Sequence, residues 1–137
     1  MRADPYLYFQ GRCQEALAFY ESALGAKIET LVRFSEIPGG PSDHGDKIMH
    51  AALKIGETTL LASDGGPGAG TARFEGFSLA LSVTSDAAAE KLFAALSAGG
   101  HVGMPLTSTS FASRMGMVTD RFGTPWMVVT QRPQPAP

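Results

Sequence analysis

The feature that most constrains this chain is an internal repeat. The segment "EALAFYESALG" (15–25) aligns without a gap on "EKLFAALSAGG" (90–100), matching Glu15 with Glu90, Leu17 with Leu92 and Gly25 with Gly100. Both have apolar residues at helical spacing, Leu17, Phe19, Tyr20 and Leu24 in the first and Leu92, Phe93 and Leu96 in the second. Both end in glycine, which readily takes the left-handed conformation that closes a helix. Asp86 is expected to be the N-cap of the second helix, with Glu90 in the next turn.

The flanks repeat as well. A short strand precedes each helix, "YLYF" (6–9) and "FSLALSV" (77–83). Three strand-like runs follow each: "KIETLVRF" (27–34), "KIMHAALKI" (47–55) and "TTLLAS" (58–63), then "HVGMPL" (101–106), "RMGMVTD" (114–120) and "PWMVVTQ" (125–131). The order is βαβββ twice. It divides the chain into module one (4–63), a glycine-rich linker (64–76), module two (77–131) and a disordered tail (132–137). The linker is not a phosphate-binding loop, because its glycines lead into Thr71, Ala72 and Arg73 rather than Gly-Lys-Ser or Gly-Lys-Thr opening a helix.

Composition limits the partners. At 137 residues, with 44% apolar and 18% charged residues, the chain is expected to fold around ordinary cores. A formal net charge of −2 with scattered Lys and Arg argues against nucleic acid as a partner. No apolar run reaches membrane-spanning length and "MRADPYLYFQ" has no signal-peptide core, so no membrane partner and a cytoplasmic location are expected. The single cysteine, Cys13, rules out an internal disulfide and a thiolate metal cluster, and is read as a half-buried helical thiol.

Two βαβββ modules with "EALAFYESALGAKI" and "DRFGTPWM" resemble the vicinal oxygen chelate superfamily of glyoxalase I, bleomycin- and fosfomycin-resistance proteins and extradiol dioxygenases. The pieces "PYLYFQG", "AFYESALGA", "HAALKIGETTLLASD", "GFSLALSV" and "VTDRFGTPWMV" resemble its PhnB-like branch, also labelled 3-demethylubiquinone methyltransferase-like. The resemblance spans about residues 4–131. It implies a single glyoxalase/bleomycin-resistance-like domain of α+β class. In it, two tandem modules form curved mixed sheets around a cup, with the helices on the outer faces. The methyltransferase label finds no echo in the residues, since no glycine-rich loop opens a helix after a strand.

Catalytic members of the superfamily hold a divalent metal with His and Glu side chains from inner strands. Carried over one by one, those positions fall on Met127 (four after Gly123), Leu60 (four after Gly56), Pro5 (counted back from the "AFY" helix) and Ser78 on the strand that opens the second half. Proline and leucine have no ligand atom, thioethers prefer soft metals and a serine hydroxyl is a weak ligand. The expectation is therefore no metal and no cofactor.

Other residues are candidates to contact a ligand. His50 shares strand parity with Ala52 and Lys54 on the mixed face, and is read either as ligand-contacting or as a structural histidine bonded to a backbone carbonyl. His44 and His101 are read as solvated. Asp64 either points into the cup mouth or caps the turn after it, and Arg114 is either an anion-holding fork or an edge-strand charge. Asp120 is read as stabilising its own turn. Tyr6, Tyr8, Phe9, Phe111, Trp126 and Met127 could furnish a stacking wall, although Trp126, with parity opposite to Met127, is expected under a helix. Met115 and Met117 are expected to line a deformable apolar interior, and loop 36–47 is a candidate lid.

The candidate ligand-binding set is thus His50, Leu60, Asp64, Ser78, Phe111, Arg114 and Met127. The leading reading is a cytoplasmic, homodimeric protein that holds an unidentified small molecule without metal chemistry; the dimer is implied by the resemblance. One alternative is a metal-dependent lyase or dioxygenase relative with a site rebuilt from His50 and Asp64. Another is a structural or regulatory dimer without a ligand.

Overall fold

A computed structural model describes residues 1–39, 45–66, 70 and 72–132. His44 and the rest of 40–44 in the candidate lid, part of the linker and the tail beyond residue 132 lie outside the described residues. The chain forms two compact units, Met1–Ala72 and Arg73–Pro137.

The first unit runs β1 (Tyr6–Tyr8), α1 (Cys13–Leu24), β2 (Lys27–Arg33), a 3₁₀ turn (Phe34–Glu36), β3 (Ile48–Ile55) and β4 (Thr58–Ser63). The second runs β5 (Leu79–Val83), α2 (Asp86–Ser97), β6 (His101–Thr107), β7 (Ala112–Thr119) and β8 (Pro125–Gln131). The two sheets have the same plan, β1-β4-β3-β2 and β5-β8-β7-β6. In each, the strand before the helix lies parallel to the last strand of the module and the other pairs are antiparallel. The α+β double βαβββ organisation expected from the repeat is the observed one.

Each helix packs on one face of its own sheet, for reasons written in its spacing. Cys13, Ala16, Leu17 and Tyr20 form a continuous buried stripe on α1. On the sheet, Leu7, Ala51, Leu53, Leu60 and Ala62 are likewise buried, all at most 3% exposed. Gly25, at φ 66°, closes α1 in the left-handed conformation. On α2 the buried stripe is Ala89, Phe93 and Leu96. Gly116 of β7 lies so close beneath it that an added Cβ would stand 2.8 Å from the Phe93 ring, which is why a side chain is missing there.

Three local expectations change. The N-cap of α2 is Ser85, whose hydroxyl accepts the Ala88 N–H at 3.1 Å, and Asp86 is the first helical residue. Ser85 has the extended backbone a cap requires, and its short hydroxyl reaches back over the first turn. The strand expected over 77–83 begins at Leu79, and Phe77, ahead of it, is 45% exposed. Asp64 neither faces solvent nor caps the following turn. It is 4% exposed, and its two oxygens accept the Cys13 and Ile48 backbone N–H groups at 2.8 Å each, tying the start of α1 to the start of β3.

Candidate functional site

In each unit the helix covers one sheet face and leaves the other open. Strand register assigns residues to the two faces. On the open face of the second unit, Met104 of β6 pairs with Met117 of β7, and Met117 pairs with Met127 of β8. Three thioethers therefore stand side by side across three adjacent strands, with Ala80 of β5 as the next member of the row. Met115 and Val129 occupy the neighbouring row. Four of the six methionines in the chain belong to this face.

Beside the row is a depression of about 250 Å³, lined by Ser78, Gly103, Met104, Met117, Thr119 and Pro125, with parts of Val118 and Trp126. Its walls are mainly apolar and its polar groups few, as in small-molecule sites, and its volume is somewhat below their usual range. Methionine suits such a wall because its unbranched chain and polarisable sulfur adapt to the shape of what they touch.

The open face of the first unit has different chemistry. Tyr6 and Tyr8 of β1 stack with ring centroids 5.0 Å apart and an interplanar angle of 24°. The Tyr6 hydroxyl shares a 2.8 Å hydrogen bond with Nδ1 of His50. Burial first, then Tyr8 and Cys13, hold the Tyr6 phenol above its usual pKa, so it keeps its proton. His50 is thus on the open face as its parity implied, but its partner is a phenol rather than a backbone carbonyl.

The remaining candidates separate by register. Leu60 is 1% exposed on the helix-covered face, where it pairs with Leu53, whereas Leu61 is on the open face beside Tyr6. Counting four residues from a glycine fails in this module because Gly56 opens a two-residue hairpin turn, while Gly123 stands fourth in a five-residue connection. Leu60 thus lies on a helix-covered face, as Trp126 does, and not on an open face as Met127 does. Arg114 pairs in register with Thr130 on the covered face. Its guanidinium reaches α2, 3.6 Å from Asp86 and 3.5 Å from Glu90. Phe111 is 51% exposed in the β6–β7 turn. Ser78 and Met127 remain on the open face of the second unit, Ser78 at the depression and Met127 in the methionine row.

Asp120 and Trp126 behave as their positions implied. The Asp120 carboxylate accepts the N–H groups of Phe122 and Thr124 and the Trp126 indole at 2.9–3.0 Å, and Trp126 is 2% exposed on the covered face. Met104 was missed because Gly103 is an extra residue in β6. It takes the register from Val102–Val118 to Met104–Met117, and a glycine inside a strand is the signal for such a bulge.

The positions that hold the superfamily's divalent metal do not fit one here. Pro5 offers only a backbone carbonyl, already accepting the Leu61 N–H at 2.9 Å. Leu60 is in the core, its open-face neighbour Leu61 has no donor atom, and Ser78 and Met127 supply a hydroxyl and a thioether. Among the described residues, no group of three or more His, Cys, Asp or Glu is placed to hold a metal ion. No helix among the described residues is long and apolar enough to cross a membrane.

Residues 2–129 match the family described as 3-demethylubiquinone-9 3-methyltransferase. Protein YjdN of Escherichia coli (strain K12) is 33% identical over 146 residues, covering 98% of this chain and 99% of that protein. The crystal structure of protein PA1353 from Pseudomonas aeruginosa is 44% identical, covers 97% of this chain and 99% of its own, and has a TM-score of 0.88. A glyoxylase/bleomycin resistance protein/dioxygenase domain from Frankia sp. EAN1pec shares the fold at 19% identity and a TM-score of 0.66, over 96% of this chain and 95% of its own.

Proposed function

Since the chain belongs to the PhnB-like family described as 3-demethylubiquinone-9 3-methyltransferase, within the glyoxalase/bleomycin-resistance superfamily, we propose that it is a small-molecule-binding member that seats an apolar ligand on its methionine face. The observation that carries this reading is the Met104–Met117–Met127 row beside a depression of about 250 Å³, in a chain whose metal-ligand positions hold Pro5, Leu60, Ser78 and Met127. The ligand gains from leaving water and from close contact with deformable thioethers; Ser78 and Thr119 offer hydroxyls for orientation.

The activity named in the family description is not carried over. Neither sheet is the doubly wound parallel sheet that binds nucleotide-type cofactors, since each contains a single parallel pair. A lyase or dioxygenase site rebuilt from His50 and Asp64 also finds no support. Both Asp64 oxygens accept buried backbone N–H groups and His50 Nδ1 is engaged by Tyr6. The reading extends to a cytoplasmic homodimer. The edge strands of the two sheets, β1, β2, β5 and β6, are the elements through which copies would pair, and sedimentation at several concentrations tests this.

Binding is tested with 1-naphthylamine, a neutral fluorophore of suitable size. Saturable binding is expected for the native chain and for Met117→Leu, with a loss of about tenfold or more for Met117→Glu, which places a charge in the apolar wall. Absence of saturable binding, or equal affinity in Met117→Glu, would overturn the proposal and favour a ligand-free structural role.

A further inference from the structure

The two hydroxyls of the depression stand in one row of the second sheet, and strand register shows how they are spaced. Thr119 of β7 pairs with Pro125 of β8. Leu79 pairs with Trp126 in the parallel ladder, and Ser78, one residue ahead of it, continues that register to the level of Pro125. Ser78, Pro125 and Thr119 therefore form a row beside the row of Met127, Met117 and Met104. The centre of this row is apolar, because proline has a hydrocarbon ring and no N–H. Both hydroxyl residues, Pro125, Met104 and Met117 line the depression.

None of the eight residues that line the depression has an ionisable side chain. His101, the next member of the row beyond Thr119, lies outside the lining. A charged group seated here would lose water without gaining a counter-charge, which disfavours an ionic ligand. Among the described residues neither the Ser78 nor the Thr119 hydroxyl has a protein partner, so both are available to a ligand. They stand two strand spacings apart, about 10 Å at the backbone. Side chains stand roughly perpendicular to a sheet and lean along the strand rather than across it, so the hydroxyls keep about that separation. With hydrogen bonds of about 2.8 Å, a ligand reaches both only through atoms roughly 4 Å or more apart. That excludes a single atom and substituents on neighbouring ring positions. The thioethers alongside favour an aromatic body, since sulfur makes favourable contacts with aromatic rings.

Given the reading of this face as the ligand surface, on which the assignment rests, we infer that the ligand is an uncharged aromatic compound with hydrogen-bonding groups at opposite ends of its ring system. Ser78 holds one end and Thr119 the other, with the ring over Pro125 and against Met104 and Met117.

Methyl-labelled methionine NMR of the native chain, titrated with 2-naphthol, 2,3-naphthalenediol and 2,6-naphthalenediol, tests this. All three should shift Met104 and Met117. The 2,6-diol, with a hydroxyl at each end, should bind about fivefold or more tighter than the other two. Ser78→Ala and Thr119→Val should each bring the 2,6-diol down to the affinity that 2-naphthol has for the native chain. 6-Hydroxy-2-naphthoate, with a charge at one end, should bind no tighter than 2-naphthol. A 2,6-diol no tighter than 2-naphthol or the 2,3-diol, an advantage that survives both substitutions, or tighter binding of the naphthoate would each overturn the assignment while leaving the methionine face as the ligand surface. Met104 and Met117 signals unmoved by all of these compounds would overturn both.

Discussion

The carboxylate of Asp64 accepts the backbone N–H of Cys13 at 2.8 Å, across 51 residues of sequence. Its second oxygen accepts Ile48 N–H at the same distance, so one buried side chain holds the first helix and the third strand together. Asp64→Ala orphans two buried donors and should destabilise the first unit by about 3 kcal/mol or more. Asp64→Asn retains one acceptor oxygen and should cost about half as much. Urea unfolding followed by far-UV circular dichroism measures both, and a native-like midpoint for the alanine variant would contradict the role assigned to Asp64.

The same contact bears on Cys13. Burial, and then the negative charge of Asp64, push its thiol from an ordinary value near 9 up to about 12. The native state therefore holds this proton more tightly than the unfolded chain does. The resulting stability is fully present below pH 9 and erodes as pH rises towards 12. The urea midpoint should fall more steeply between pH 8.5 and pH 10.5, about the onset of that window, in the native chain than in Cys13→Ala. Parallel slopes would show that the thiol does not contribute.

Arg114 is committed to α2 through Asp86 and Glu90, at separations of 3.5–3.6 Å and with about a third of its side chain exposed. Exposed pairs of this kind contribute little, so Arg114→Ala should cost under about 1 kcal/mol in thermal or urea unfolding. It should also leave 1-naphthylamine affinity unchanged. Loss of that affinity would return Arg114 to the ligand-contacting set.

The repeat made the architecture legible. Helical spacing located α1 and α2, and alternation located eight strands, because these elements bury one face and the period of burial is written in the residues. The site was legible only in part. Parity placed His50 on the open face and Trp126 under the helix, since neither assignment crosses a bulge. Counting from glycines failed for Leu60, where two turns of different length put equal counts on opposite faces, and Met104 stands beyond the Gly103 bulge. β7 has a similar bulge: Ser113 is an extra residue opposite the Gln131–Thr130 step, and it shifts the strand's register after Ala112. Asp64 could not be placed from sequence because both its donors, Cys13 and Ile48, are remote along the chain.

The central claim is that the methionine face of the second unit is the ligand surface, and methyl-labelled methionine NMR during titration with 1-naphthylamine tests it most directly. The account predicts saturable shifts of the Met104 and Met117 methyl signals, with Met1 and Met49 unmoved. A titration that leaves Met104 and Met117 unshifted, or that moves Met49 instead, would contradict it.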